Sequence, residues 1–343
     1  MSPPTATGDP ERILLVRTSA LGDIVLSLPV LTALRRRFPA ARIGWVVDEA
    51  FAPLLDGHAH LDRLFRVPLR RWRRDRRGRL RELTHFAGDL RAFGADVAFD
   101  LMGNHKGALL ARLSGARLRI GHRRADRREP SSAIWLTTTL PVAGLHAVER
   151  SLSLLAADGS IEATADFAPG AIACGRDSVP TGDYLYLHPG AAWGNKRYPA
   201  ARWGQVAAAL RAQGAPEVRV GAAPGEEALA QAVVTASGDT ARLLPAPSLG
   251  ELTGAIRGAR MVLGGDTGAI HLARAFGRPV VAVHGPTDPA RHGPWADPGG
   301  VVVHRLACSF CHQRMAEAKS CLDLVTPDEI ATRALARLAV AAV

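Results

Sequence analysis

The chain has 343 residues, a length that implies roughly two domains, and its 47% hydrophobic and 22% charged residues exclude a disordered or low-complexity protein. No run of about 18 apolar residues occurs, so a membrane-spanning helix is excluded, and four cysteines (Cys174, Cys308, Cys311, Cys321) are too few for a disulfide scaffold; a reduced cytoplasmic setting is expected. The net charge of +11 comes from 43 Lys+Arg, of which only Lys106, Lys196 and Lys319 are lysine, and it calls for an anionic partner: nucleic acid, anionic lipid or a phosphorylated small molecule.

The first ten residues are rich in Pro, Thr and Gly and carry no apolar signal core, so a frayed tail over 1–11 and no export are expected. Apolar runs then predict strands over 12–17, 42–48, 64–67 and 95–100. Helical periodicity covers 26–38, stopped by Pro39, and begins again over 51–55. The alternation restarts with strands over 184–188, 217–221, 241–244, 261–263 and 280–284 and helices over 200–213 and 226–236. Alternating strands and helices with short connections imply an α/β architecture with parallel sheets covered on both faces. Two such series imply two Rossmann-like domains, 12–170 and 178–325, with a C-terminal helix over 326–343. A linker rich in Gly, Pro, Ser and Ala is expected near 167–182.

In such sheets ligands sit beyond the carboxyl ends of strands, often at helix N-termini. Thr18-Ser-Ala-Leu-Gly-Asp23 follows the first strand. Gly22 permits a tight turn there, Ser19 or Asp23 suits a helix cap, and Asp23 equally suits a general base. Gly264-Gly-Asp-Thr-Gly-Ala-Ile-His271 runs from a strand into a helix, and its glycines with Thr267 offer N–H groups and a hydroxyl to a diphosphate. A capped turn with His271 in the core is the plainer alternative. His188-Pro-Gly-Ala-Ala-Trp-Gly-Asn-Lys196 combines small residues with a compact cation suited to phosphate, unless Lys196 is simply solvated. Glu226 and Glu227 open another strand-to-helix turn, where either accepts from sugar hydroxyls or complements the helix dipole.

From about Arg12 to Leu335 the chain resembles the ADP-heptose:lipopolysaccharide heptosyltransferases, glycosyltransferase family 9. The resemblance rests on Thr18-Ser-Ala-Leu-Gly-Asp23, Leu28-Pro-Val-Leu-Thr-Ala-Leu-Arg35, Trp45-Val-Val-Asp-Glu-Ala-Phe-Ala52, Arg128-Glu-Pro130, His146-Ala-Val-Glu-Arg150, Asp266-Thr-Gly-Ala-Ile-His271 and Gly285-Pro-Thr-Asp288. It implies a GT-B fold, two Rossmann-like domains facing across a cleft, with the lipid-linked acceptor on the N-terminal domain and the ADP-sugar on the C-terminal one. It also implies an inverting transfer without metal or cofactor. Asp23 matches the catalytic base, Lys196 and Asp266 match donor-site positions, and Thr267, Gly268 and His271 fall in the donor diphosphate turn. Leu69-Arg-Arg-Trp-Arg-Arg74, Arg128-Glu-Pro130 and the His146 to Arg150 motif are most similar to type I members, which add the first heptose to Kdo on lipid A. Cys308-Ser-Phe-Cys311 and Cys321 are more similar to the type II tail. His312 directly follows Cys311, poor spacing for a zinc site, so buried thiols or redox-labile pairing are expected instead.

Residues 63–81 hold ten arginines and one aspartate, and residues 112–128 seven arginines and one aspartate, whereas residues 178–343 carry a net charge of only +3. Solvated Arg-rich helices explain part of this. The functional alternative has Arg70, Arg71, Arg73, Arg74 and Arg128, together with Ser19, facing the phosphates and Kdo carboxylates of the acceptor, and Trp72 at the interface of an anionic membrane. The expectation is a monomer, peripheral on the cytoplasmic face of the inner membrane. Its partners would be an ADP-sugar and a Kdo acceptor and not nucleic acid, for which no motif occurs. A family member acting on a later core heptose, or with another nucleotide-sugar, is the alternative.

Overall fold

The structure is a computed structural model that describes residues 9–74, 79–155, 164–173, 180, 182–245, 248–316 and 320–340. The chain divides into two compact units, Met1–Ala173 and Cys174–Val343.

The described strands of the first unit are β1 (Arg12–Val16), β2 (Arg42–Asp48), β3 (Arg63–Val67), β4 (Val97–Asp100), β5 (Leu118–His122) and β6 (Thr138–Leu140). Its helices are α1 (Leu21–Val25), α2 (Leu28–Arg37), α3 (Leu69–Arg74), α4 (Arg79–Phe93), α5 (His105–Leu113) and α6 (Ala147–Leu152). The strands form one parallel sheet in the order β3-β2-β1-β4-β5-β6. Ile13, Leu14, Leu15 and Val16 are all buried, as expected where helices cover both faces of a parallel sheet. The chain winds outward from β1 to β3, then returns to β1's other side for β4. The switch point, where a doubly wound sheet opens a crevice, lies between β1 and β4.

Three expectations are refined here. The helix expected over 26–38 is α2, Leu28–Arg37, preceded across Leu26 and Ser27 by the separate short helix α1. Pro29 has no N–H and its ring clashes in a helix interior, so it stands in the first turn of a new helix instead. The stretch 51–55 is a single 3-10 turn, Ala52–Leu54, around Pro53. Trp72 is not at an interface but buried: its indole N–H donates to Glu82 Oε2 at 2.7 Å, and its ring packs edge-on against Phe86 of α4. That position satisfies the indole donor and removes its large apolar ring from water.

The start of the expected linker also packs on the first unit. Phe167 and Ile172 are buried, and the Ala173 N–H donates to the Leu54 carbonyl at 3.2 Å. Residues 174–179 and 181, and residues 1–8 of the expected tail, lie outside the described residues.

The second unit holds β7 (Tyr184–His188), β8 (Glu217–Ala222), β9 (Ala241–Pro245), β10 (Met261–Gly265), β11 (Val280–Val283) and β12 (Val301–Val302). Its parallel sheet runs β12-β11-β10-β7-β8-β9, the same winding as the first, with β7 in the role of β1. Its switch point therefore lies between β7 and β10. The helices are α7 (Ala200–Ala212), α8 (Glu227–Ala236), α9 (Leu249–Gly258), α10 (Gly268–Ala275), α11 (Pro289–His292), α12 (Ser320–Asp323) and α13 (Pro327–Val340). Ile330, Ala334 and Leu338 of α13 join Trp203, Val206 and Leu210 of α7 in one core, so the C-terminal helix is an integral layer of this unit.

Candidate active site

Each sheet carries a polar constellation at its own switch point. In the first unit the turn after β1 presents Asp23 in the first turn of α1. Asp23 Oδ1 lies 2.8 Å from Arg17 Nη2, and Asp23 Oδ2 accepts from the Ala20 N–H at 3.2 Å. The capping and charge-bearing readings therefore coexist: one oxygen serves the turn while the other pairs with the Arg17 guanidinium. The carboxyl is 39% exposed, open enough to meet a ligand. Across the switch point, Lys106 in the first turn of α5 brings its Nζ to 3.5 Å from Ser19 Oγ.

In the second unit Lys196 Nζ lies 2.6 Å from Asp266 Oδ2 and 4.5 Å from the centre of the Trp193 ring. Lys196 is thus not a solvated surface lysine. Thr287 Oγ1 donates to the same Asp266 oxygen at 2.6 Å, and His271 Nε2 lies 3.6 Å from the other. Burial pushes the Asp266 carboxyl up, but His271, His284 and Lys196 outweigh it and hold the group well below the usual carboxylate range. Gly265 makes the approach of the two turns possible: a Cβ there would stand 2.8 Å from the Lys196 carbonyl oxygen. Thr267 is the N-cap of α10 without capping it through its side chain. Its buried Oγ1 and the buried His271 Nδ1 have no hydrogen-bond partner among the described residues. The α10 N-terminus, with Gly268 at its first position, and the Lys196 ammonium make a positive, donor-rich corner suited to an anion.

The structure separates Glu226 from Glu227. Glu226 is largely buried, with His188 Nε2 3.8 Å and Arg197 Nη2 3.5 Å away. It sits flush on Gly190, where a Cβ would be 1.9 Å from Glu226 Oε2. Burial first, and then the Glu227 charge, push its carboxyl up against the pull of Arg197 and of the Ala223 backbone. Glu227 is exposed and accepts from the Gly225 N–H at 2.9 Å, which makes it a helix-start carboxylate and leaves it out of this group.

Other expected residues are more dispersed. Arg70 lies over the Phe51 ring at 5.0 Å, and Arg71 pairs with Glu82 at 3.2 Å; both are exposed. Arg73 and Arg74 end α3, and their side chains lie outside the described ones. Arg128 is exposed, and it is the neighbouring Arg127 that is buried in an ion pair with Asp100. His146 caps α6: its Nδ1 accepts from the Val148 N–H at 3.2 Å, and Glu149 completes a capping box. His271 turns inward to Asp266 rather than outward. Cys308 is exposed, Cys311 half-buried and Cys321 buried. Burial, with the other two cysteines nearby, pushes the Cys321 thiol up.

Three residues escaped sequence reasoning: Thr287, Asn195 and Lys106. Thr287, in the Gly285-Pro-Thr-Asp288 motif, is the hydroxyl that fixes Asp266. Asn195 is buried beside Lys196: its Nδ2 donates to the Gln313 carbonyl at 2.8 Å, and its Oδ1 accepts from the Met315 N–H at 3.2 Å. The segment after the cysteine pair therefore straps the lysine turn. The rarity of lysine in the chain was the one available signal for Lys106.

The profile of glycosyltransferase family 9 (heptosyltransferase) matches residues 83–321. Lipopolysaccharide heptosyltransferase 1 of Pseudomonas aeruginosa is 33% identical over 289 residues, covering 82% of this chain and 81% of the relative. The enzyme of the same name from Salmonella typhimurium is 30% identical over 313 residues, covering 89% and 96%. Among solved structures, E. coli heptosyltransferase WaaC with ADP superposes with a TM-score of 0.78 at 27% identity, covering 95% of this chain and 99% of that one. The fold is of the GT-B class, and the enzyme is a glycosyltransferase of the lipopolysaccharide core. With its two switch-point sites and this similarity along most of its length, the chain belongs to glycosyltransferase family 9, the heptosyltransferases.

Proposed function

We propose that the protein transfers heptose from ADP-heptose to Kdo on lipid A with inversion at the anomeric carbon, without metal or cofactor. The observation that carries this reading is the division of chemistry between the units: a carboxylate at one switch point, and a lysine beside a helix N-terminus at the other. The acceptor hydroxyl oxygen attacks the anomeric carbon, the bond from that carbon to the diphosphate breaks, and Asp23 takes the hydroxyl proton. The leaving ADP gains negative charge, which Lys196 and the N–H groups at the start of α10 compensate. Asp266 orients the lysine, with Thr287 and His271 behind it. Glu226 accepts from ribose hydroxyls of the nucleotide. The solved E. coli heptosyltransferase WaaC with ADP supports an ADP-linked donor, and the two lipopolysaccharide heptosyltransferase 1 relatives support an acceptor in lipopolysaccharide.

The exposed arginines of the first unit, Arg70 and Arg71 among them, turn toward the anionic leaflet and the acceptor's phosphates, each contributing about 1 kcal/mol near such a surface. The enzyme then works as a monomer, peripheral on the cytoplasmic face. No helix among the described residues is long and apolar enough to cross a membrane. The test is transfer from ADP-heptose to Kdo-lipid A against heptosylated core, followed by mass spectrometry. One heptose added to Kdo-lipid A supports the reading. Transfer only to heptosylated core would move the enzyme to a later step.

A further inference from the structure

The transfer chemistry makes no use of Cys308-Ser-Phe-Cys311. Residues 307–310 form a turn. A turn of this size holds residues three apart within about 7 Å at Cα, the span a disulfide needs, and the two cysteines are three apart across it. Cys308 is exposed and Cys311 half-buried, so a small oxidant reaches them. Cys321 is buried against Gly285, where a Cβ would be 2.9 Å from its Sγ. Burial pushes that thiol up and so keeps it from the reactive thiolate form. The backbone around Cys311 is held in place. Phe310 and His312 have φ of 60° and 52°, the left-handed region that side chains disfavour. Their N–H groups donate to the Gly285 and Pro286 carbonyls at 3.4 and 2.9 Å. Thr287, next in that motif, donates to Asp266. A few residues on, the Met315 N–H donates to Asn195 Oδ1 and its carbonyl accepts the Asn195 N–H, both at 3.2 Å, while the Gln313 carbonyl accepts from Asn195 Nδ2 at 2.8 Å. Gly194 leaves no slack, since a Cβ there would stand 1.7 Å from the Ala316 oxygen. The stretch 310–316 therefore braces both turns that bring Lys196 and Asp266 together.

We propose that Cys308 and Cys311 are a thiol–disulfide modification site whose oxidation loosens the donor site. The Cys308 thiolate attacks a peroxide oxygen, the O–O bond breaks, the sulfur is oxidised to a sulfenic acid, and the leaving hydroxide takes a proton to become water. The Cys311 thiolate then attacks that sulfur, the S–S bond forms, and the sulfenic hydroxyl leaves with a proton as a second water. Two thiols give up two electrons and two protons, and one hydrogen peroxide becomes two waters. The new bond fixes the span from residue 308 to 311 and draws the Phe310 and His312 backbone off Gly285 and Pro286, so the brace on Thr287 and Asn195 slackens. This consequence rests on the reading of Lys196 and Asp266 as the donor site.

The experiment titrates ADP by calorimetry into the full-length enzyme, either reduced with dithiothreitol or treated with hydrogen peroxide, and maps the disulfide by peptide mass spectrometry. Oxidised wild type carries a Cys308–Cys311 bond and binds ADP with a Kd about 3- to 10-fold above that of the reduced enzyme, the loss of about one neutral hydrogen bond; dithiothreitol restores it. Cys308→Ser binds ADP like the reduced wild type and keeps that affinity after peroxide. Cys321→Ser responds to peroxide as wild type does. The two wild-type arms need no variant to fold. A bond to Cys321, two thiols that survive the peroxide, or a Cys308–Cys311 bond with unchanged ADP affinity would overturn the proposal. A Lys196→Met enzyme that binds ADP as tightly as wild type refutes the donor reading, and the consequence assigned to the disulfide falls with it. The peptide map, which does not depend on that reading, tells the two failures apart.

Discussion

Asp266→Asn removes one charge from a group in which Lys196 Nζ and Thr287 Oγ1 both stand 2.6 Å from the same oxygen, with His271 Nε2 3.6 Å from the other. The Asp266 and Lys196 side chains are only 6% and 16% exposed, so a stranded ammonium gains little from water. Removing one partner of a buried ion pair costs about 3–5 kcal/mol. Asparagine keeps an acceptor oxygen for Thr287 or Lys196, which puts the expected loss near the lower figure, about 3 kcal/mol. Lys196→Met strands the opposite charge and costs a comparable amount. The double variant leaves no uncompensated charge, so its loss falls short of the sum of the singles by about 1–3 kcal/mol. Urea unfolding followed by far-UV circular dichroism and by the fluorescence of Trp203, buried in the second core, reads this out, with ADP affinity measured in parallel. The double variant recovers stability and not ADP affinity, because the cation itself is gone. Additive losses, or an Asp266→Asn variant within about 0.5 kcal/mol of wild type, the size of an ordinary surface effect, would mean that Lys196 and Asp266 do not act as a coupled buried pair.

Acid unfolding should begin early. Burial holds His58, His122 and His188 neutral, each lowered to about 4, whereas an unfolded histidine titrates near 6.5. The unfolded chain therefore binds more protons between about pH 6.5 and 4, and stability present above that window is lost as pH falls, roughly 3 kcal/mol for the fully buried His188 alone. A urea midpoint that stays flat from pH 7 to 5 would contradict this. Gly190→Ala meets only the end of the Glu226 side chain, so ADP affinity falls while the melting temperature barely moves. Gly194→Ala places a Cβ 1.7 Å from the Ala316 backbone oxygen and destabilises by about 1–3 kcal/mol in the same melts. Trp72→Ala costs about 3–5 kcal/mol in urea unfolding and leaves binding to anionic vesicles unchanged; lost vesicle binding at full stability would return Trp72 to an interface.

Much of the fold was legible because parallel strands are apolar on both faces: Ile13 to Val16 and Tyr184 to Leu187 announce themselves as short runs. The turns at Asp23 and Asp266 were legible for a second reason, since small residues between a strand and a helix mark close backbone approach. What stayed hidden lies in long-range pairing. Lys196 and Asp266 are 70 residues apart, and Lys106 and Ser19 are 87 apart, so no local pattern joins them. Adjacent like residues posed a related problem. Nothing in Arg127-Arg128 or Glu226-Glu227 tells which side chain turns inward; the burial of Arg127 against Asp100 and of Glu226 against Gly190 is set by neighbours from other strands. Trp72, sitting among arginines, looked interfacial because its partners Glu82 and Phe86 belong to the next helix.

The assignment of Asp23 as the base that activates the acceptor is tested most directly by single-turnover transfer with Asp23→Asn. Its amide retains the shape and the contact to the Ala20 turn but accepts no proton. The expected result is a fall in the transfer rate of about 100- to 10,000-fold, with affinity for ADP-heptose within about twofold of wild type. Transfer at a near wild-type rate would contradict it.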